Sequence, residues 1–164
     1  MVSLFAAAGK TKIFKTELFD WIENYGPSGR WSRVNRKNKA LVKKSRELIE
    51  TTLRTYILQH HQTAQNSRVK SAQSLASSGY NLYFATFKNT KYISDMHFYY
   101  AELLFDMKKY RKASENYVWV VNNDVKSRYY QKSLLNSILA LEKLLPTKQA
   151  ISKVVGKSDE IFEF

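Results

Sequence analysis

His97 to Val121 reads HFYYAELLFDMKKYRKASENYVWVV, and this stretch decides the fold. Phe98, Ala101 and Leu104 recur at three-residue spacing, with Leu103 and Phe105 widening the stripe. After a polar corner at Asp106–Lys109 the pattern resumes with Tyr110, Ala113, Tyr117, Val120 and Val121. That is the period of an amphipathic helix, met twice, so the stretch predicts a helical hairpin. Ala101 and Ala113 lie mid-helix on the apolar stripes. A methyl group there lets two helix axes approach closely while larger neighbours interlock around it.

The same spacings occur upstream. His97, Ala101, Ala113 and Tyr117 are matched by His60, Ala64, Ala76 and Tyr80, each offset by 37 residues. Ser77 and Ser114 also correspond, as do the bulky Tyr83 and Val120. The sequence therefore predicts a helix–turn–helix unit in two copies, with a third beginning after Asp124. In that third copy either Ser133 or Ser137 can be the small position.

The rest of the chain fits helices. Among 164 residues there are five glycines and two prolines, and 44% are apolar, enough for a sizeable core. Ile13, Phe14, Leu18, Trp21, Ile22 and Tyr25 share one face of a helix over 12–25, which Thr11 can cap and Gly26-Pro27-Ser28-Gly29 ends. Asn38 can cap a long helix to about Gln65, with Leu41, Val42, Leu48, Ile49, Leu53, Tyr56, Ile57 and His60 on one face. A turn near Asn66 and Ser67 leads to a helix ending near Phe87. Gly79 inside it costs about 1 kcal/mol relative to alanine, which points to a close backbone contact. A helix over about 126–144 would pack through Tyr130, Leu134, Leu135, Ile138, Leu141 and Leu145, and Pro146 stops it. Residues 147–164 would add one short helix and then fray, or fold their acid- and phenylalanine-bearing end, Asp159–Phe164, onto a hydrophobic groove.

The residues now resemble a known family. AELLFDMKKYRKASENYVWVV looks like the tetratricopeptide repeat, in which a small residue sits midway along the first helix. A tyrosine opens the second helix of that repeat, an alanine follows three later, and an aromatic comes four after that. Ala101, Tyr110, Ala113 and Tyr117 stand in those places. Departures are that histidine replaces the first-helix aromatic, alanine replaces its glycine, the closing proline is missing near Asp124, and the upstream copy exceeds the usual length of about 34 residues. The resemblance covers 92–123 best and extends over 56–88. More loosely, long helices followed by such pairs resemble large bacterial repeat proteins of the cell envelope.

The resemblance implies an all-α fold: antiparallel helix pairs stacked as a short right-handed solenoid, in one domain. Its parts would be an N-terminal helix and basic turn (11–38), a first long pair (39–88), the best pair (92–123), and a third pair or C-terminal cap (126–164). It further implies a noncatalytic scaffold that holds a protein or peptide, first helices lining the groove. Carried over by position, the groove residues are Asp95, Phe98, Glu102, Phe105 and Asp106, with Phe98 read first as core. The carboxylate-gripping clamp of chaperone-binding members needs Lys, Asn and Arg there, so that ligand class does not fit.

Charge has an address. Residues 30–70 hold eleven Lys/Arg against Glu47 and Glu50, a net of +9 in a total of +13. Arg30, Trp31, Arg33, Arg36, Lys37, Lys39, Lys43, Lys44 and Arg46 crowd into one acid-free run. Its functional reading is a phosphate-binding patch in which Trp31 stacks on a base or inserts at a lipid interface, with nucleic acid the second choice of partner. Its bland reading, preferred, is a solvated helix face with Trp31 anchored to the core. Such a field also steers an acidic protein toward the chain.

No enzyme signature emerges. There is no cysteine, and His60, His61 and His97 are the only histidines. Adjacent His60 and His61 point about 100° apart on a helix and cannot easily share a metal. Glu47 and Glu50 read as solvent-facing partners of nearby cations. Gly9-Lys10-Thr11 lacks the glycine of a phosphate loop, since Leu4 stands five residues earlier. No catalytic residue, metal or cofactor is expected, no segment reaches the ~18 apolar residues of a membrane span, and MVSLFAAAGK makes a poor signal peptide. The compartment, cytoplasmic or periplasmic, stays open.

Overall fold

The computed structural model describes residues 11–146; the expectations for 1–10 and 147–164 lie outside them. Helices form at α1 (Thr11–Tyr25), α2 (Arg30–Val34), α3 (Lys39–Ser67), α4 (Lys70–Thr86), α5 (Ile93–Asp106), α6 (Tyr110–Asn123) and α7 (Tyr130–Glu142), and no strand occurs among the described residues. The chain is all-helical there.

Local chemistry sets the boundaries. Asn38 Oδ1 accepts the Leu41 amide at 3.1 Å and starts α3. That helix stops at Arg68, which takes the left-handed conformation (φ 53°) and donates its amide to Ala64 O. Lys108 (φ 58°) does the same work at the α5–α6 corner, where the Lys109 amide reaches back to Leu104 O at 2.8 Å. The corner falls at 107–109, inside the predicted polar segment.

The most extensive pairings are α3 with α4, α5 with α6, and α6 with α7; α4 meets α5 more lightly, and α1 lies on α3. Burial explains why α5 carries such a wide apolar stripe. Met96 and Leu103 join a core with Leu18, Ile22, Ile49, Leu53, Tyr56 and Tyr80. Phe98, Ala101 and Leu104 join a second core with Ala113, Tyr117, Val120 and Ala140. Leu103 and Leu104, adjacent in sequence, diverge by about 100° around the helix and so serve opposite sides.

Several pairs 37 apart are buried alike, although His60 and His97 have different surroundings. Ala64 and Ala101 are buried on α3 and α5, and Ala76 and Ala113 on α4 and α6. His61 faces Tyr80 with ring centroids 5.9 Å apart, and Phe98 faces Tyr117 at the same 5.9 Å.

Three expectations are corrected. On α3 the buried histidine is His61, whose Nδ1 pairs with Tyr80 Oη at 2.7 Å, whereas His60 is half-buried on the edge of Tyr56. Glu50 is buried rather than solvent-facing, because Tyr83 Oη, 33 residues away, donates to its Oε1 at 2.6 Å. On α7 the packed face is Ser133, Ser137 and Ala140, while Leu134, Leu135, Ile138 and Leu141 are all about half exposed. Small side chains let α7 lie close against α6, close enough for Ser114 Oγ to donate to Ser137 O at 3.2 Å.

Candidate binding surfaces

Two surfaces gather the residues that the sequence singles out. The first is built from the turn after α1. The Gly26 amide closes α1 on Ile22 O, and the Gly29 amide turns back to Gly26 O. A Cβ on Gly29 would lie 2.2 Å from Asn24 O, so the chain can fold this tightly only with glycine there. The turn sets α2 down on α1: Ser32 Oγ donates to Tyr25 O at 3.2 Å, and the Trp31 ring lies 6.1 Å from that of Tyr25. Trp31 is thus half-buried as an anchor.

With α2 fixed, Arg33 and Arg36 face the opening turns of α3. Together with Lys39, Lys43, Arg46, Pro27, Ser32 and Val42 they line a groove of about 530 Å³. Arg30, Lys37 and Lys44 stand exposed outside this lining. Arg46 belongs to the groove although its full role is not apparent from the run alone: its Nη2 also donates to Asn89 O at 3.3 Å, joining α3 to the α4–α5 connection. A neighbouring hollow shares Lys43 and Arg46 and continues past Glu47 and Glu50 to Lys91 and Tyr92. Among the described residues the ion pair formed is Arg128–Asp95, so none of the groove cations is in direct contact with a carboxylate there.

The second surface lies between α3 and α5, about 27 Å along α3 from Lys43 at the helical rise per residue. It is a hollow of about 370 Å³ lined by Leu58, His61, Gln62 and Gln65 of α3 and Phe98, Tyr99 and Glu102 of α5. Six of these seven form pairs 37 apart: His61 with Phe98, Gln62 with Tyr99, Gln65 with Glu102. Leu58 corresponds to Asp95, which is held at the edge by Arg128 Nη2 at 2.5 Å.

The residues carried over for a peptide groove divide accordingly. Phe98 and Glu102 line the hollow. Phe98 is also core, stacked on Tyr129 at 4.0 Å. Glu102 accepts hydrogen bonds from Tyr117 Oη and from Asn136 Nδ2. Phe105 is half-buried against Tyr110, and Asp106 is exposed at the corner. Burial and the Glu102 carboxylate push the Tyr117 hydroxyl well above its ordinary range, which keeps it a donor. Burial lowers His61 from its usual value, so the ring is neutral at physiological pH; its Nε2 is buried without a partner.

His97 has a different setting from either surface. Its ring stacks between Phe84, 4.0 Å away, and Trp119, 3.9 Å away, and its Nδ1–H donates to Asn116 Oδ1 at 2.8 Å. Burial holds it down to about 4. No group of three or more His, Asp or Glu able to hold a metal occurs among the described residues, and no helix among them is long and apolar enough to cross a membrane. No protein-family model, curated protein or solved structure matches the chain.

Proposed function

We propose that the chain is a noncatalytic helical-repeat module, tetratricopeptide-like in its pairing, that holds a segment of another protein against α3 and α5. One observation carries this reading. Matching register positions of two helices, 37 residues apart, come together to line a single hollow. Stacked helix pairs produce such a surface because each first helix presents the same face to the same side. Three buried pairs 37 apart are identical, Ala64 with Ala101, Ala76 with Ala113 and Tyr80 with Tyr117, while the hollow positions differ: His61 against Phe98, Gln62 against Tyr99, Gln65 against Glu102.

The lining suits a peptide. Gln62 and Gln65 offer amide donors and acceptors one turn apart, and Leu58, 37% exposed, offers apolar area. The test uses the whole chain, immobilised and exposed to an extract of its source at about 150 mM salt, near physiological ionic strength. A defined set of proteins is retained after nuclease treatment, and is lost from a Leu58→Glu/Gln62→Glu variant that melts at the wild-type temperature. Equal retention by that variant, or retention abolished by nuclease, refutes the reading.

A further inference from the structure

We propose that the basic groove between Pro27–Arg36 and the first turns of α3 is a second, separate binding site, and that it takes a short acidic segment of protein in extended conformation. Five cationic side chains, Arg33, Arg36, Lys39, Lys43 and Arg46, converge on it and no carboxylate lines it. Their backbone is fixed. Asn35 Nδ2 donates to Trp31 O at 2.9 Å, the Asn38 amide to Asn35 O at 2.9 Å, and Asn38 caps α3. The cations therefore stand on a preset frame, and binding orders side chains alone.

The spacing fits a strand. Lys39 and Lys43 are one turn apart, a rise of about 6 Å, and alternate residues of an extended chain are about 6.6 Å apart. Carboxylates at every second position of a bound segment would meet successive cations. Pro27 and Val42 supply apolar lining for residues between them.

The same surroundings disfavour a nucleic-acid strand. Single strands gain about 1–3 kcal/mol per base from stacking on aromatic rings, and no aromatic residue lines the groove. Trp31 is engaged with Tyr25. Tyr92 in the adjoining hollow carries the Arg54 guanidinium 3.5 Å and the Lys91 ammonium 4.9 Å from its ring centroid. Glu47 and Glu50 line that adjoining hollow beyond Arg46, so carboxylates interrupt the cations on that side. A long phosphate chain running that way would meet those acids, and a short acidic peptide confined to the groove would not.

The experiment is fluorescence anisotropy on the whole chain with three probes: a short labelled peptide with glutamate at alternate positions, its glutamine counterpart, and oligothymidylate of matching length. The glutamate peptide binds best, and added salt weakens it. Arg36→Glu/Lys39→Glu weakens it about tenfold or more, since two exposed attractions become repulsions. Arg111→Glu/Lys112→Glu on α6 changes net charge equally and weakens it less than about threefold at physiological salt. Unchanged thermal melting shows that both variants are folded. The proposal is overturned if the glutamine peptide binds as well, if the α6 variant loses as much, or if oligothymidylate binds more tightly and is lost from the groove variant. Because the hollow at α3–α5 is untouched in all these proteins, failure here leaves the reading of that surface standing.

Discussion

Replacing Gly79 with alanine tests the packing on which the helix pair α3–α4 depends. Gly79 is buried in the middle of α4, and a Cβ built on it would lie 2.6 Å from Ile57 Cγ1 and 3.5 Å from Tyr56 Cδ1. Carbon atoms pack at about 3.5–4.0 Å, so the first contact is short by about 1 Å. Ile57 is fully buried, and its branched stem has one preferred rotamer in a helix, so relief must come from moving the helices apart. Against this, alanine gains about 1 kcal/mol of helix propensity. Overpacking of a filled core costs about 1–3 kcal/mol. The steric term wins, and Gly79→Ala is expected to destabilise by about 1 kcal/mol, lowering the melting temperature by about 2–4 °C for a chain of this length. Gly79→Val, larger and stiffer, loses more. Urea unfolding followed by far-UV circular dichroism reads the change as a shifted midpoint at constant slope. Ile57→Ala in the Gly79→Ala background should cost less than in the wild type, with a coupling of about 0.5 kcal/mol or more. A raised midpoint for Gly79→Ala, or zero coupling, would refute the reasoning.

The face of α7 can be tested by contrast: Ala140→Leu should destabilise by about 1–3 kcal/mol, whereas Ile138→Ser, about half exposed, should stay within about 0.5 kcal/mol; the reverse order in chemical denaturation would show that the aliphatic face is the packed one. Tyr83→Phe removes the donor to buried Glu50, and a loss of about 1.5–3 kcal/mol is expected in the same assay; a neutral result means the carboxylate finds another partner. His97 predicts a pH dependence. Its folded value near 4 lies below the ordinary 6.5 of the unfolded chain. As pH falls from about 6.5 toward 4 the unfolded state takes up a proton that the folded state does not, so stability drops, by at most about 3 kcal/mol, and levels off below. His97→Gln flattens that slope. An NMR titration of His97 at 6.5 or higher would contradict it, showing that the faces of Phe84 and Trp119 stabilise the imidazolium.

Much of the helical order is legible in the residues because it is local. The corner predicted at Asp106–Lys109 separates α5 from α6, Asn38 caps α3, and Gly79 marks a close contact. What stays hidden depends on partners distant in sequence. Leu134, Leu135, Ile138 and Leu141 form a helical stripe, but so do Ser133, Ser137 and Ala140, and periodicity cannot say which stripe turns inward. Size would suggest the leucines; the close approach of α6 selects the small residues. Glu50 looks solvated among Glu47, Arg46 and Arg54, and only Tyr83 brought across from α4 buries it. His60 and His61 differ by about 100° of helix rotation, a margin that the seam with α4 decides. The basic run announces itself, yet which cations converge is set by the glycine turn at 26–29, which lays Trp31 against Tyr25 and gathers Arg33 and Arg36 against α3.

The two surfaces differ in how they arise, and this bears on what each can do. The hollow lies between α3 and α5, where Ala64 and Ala101, and Tyr80 and Tyr117, are buried and residues at 61, 62 and 65 stand beside those at 98, 99 and 102. Its exposed members, Gln62 and Gln65, can change without touching the core, whereas His61 and Phe98 are buried and each packs against its tyrosine at 5.9 Å. The basic groove has no counterpart 37 residues on, where the chain runs from Val69, the cap of α4, to Tyr83 within it. It belongs to the junction of α1 and α2 with the frame, and it vanishes if that turn opens. Substituting Gly29 should therefore remove acidic-peptide binding and spare the hollow, whereas Gly79→Ala, acting at the α3–α4 seam, should disturb the hollow through His61 and leave the groove intact.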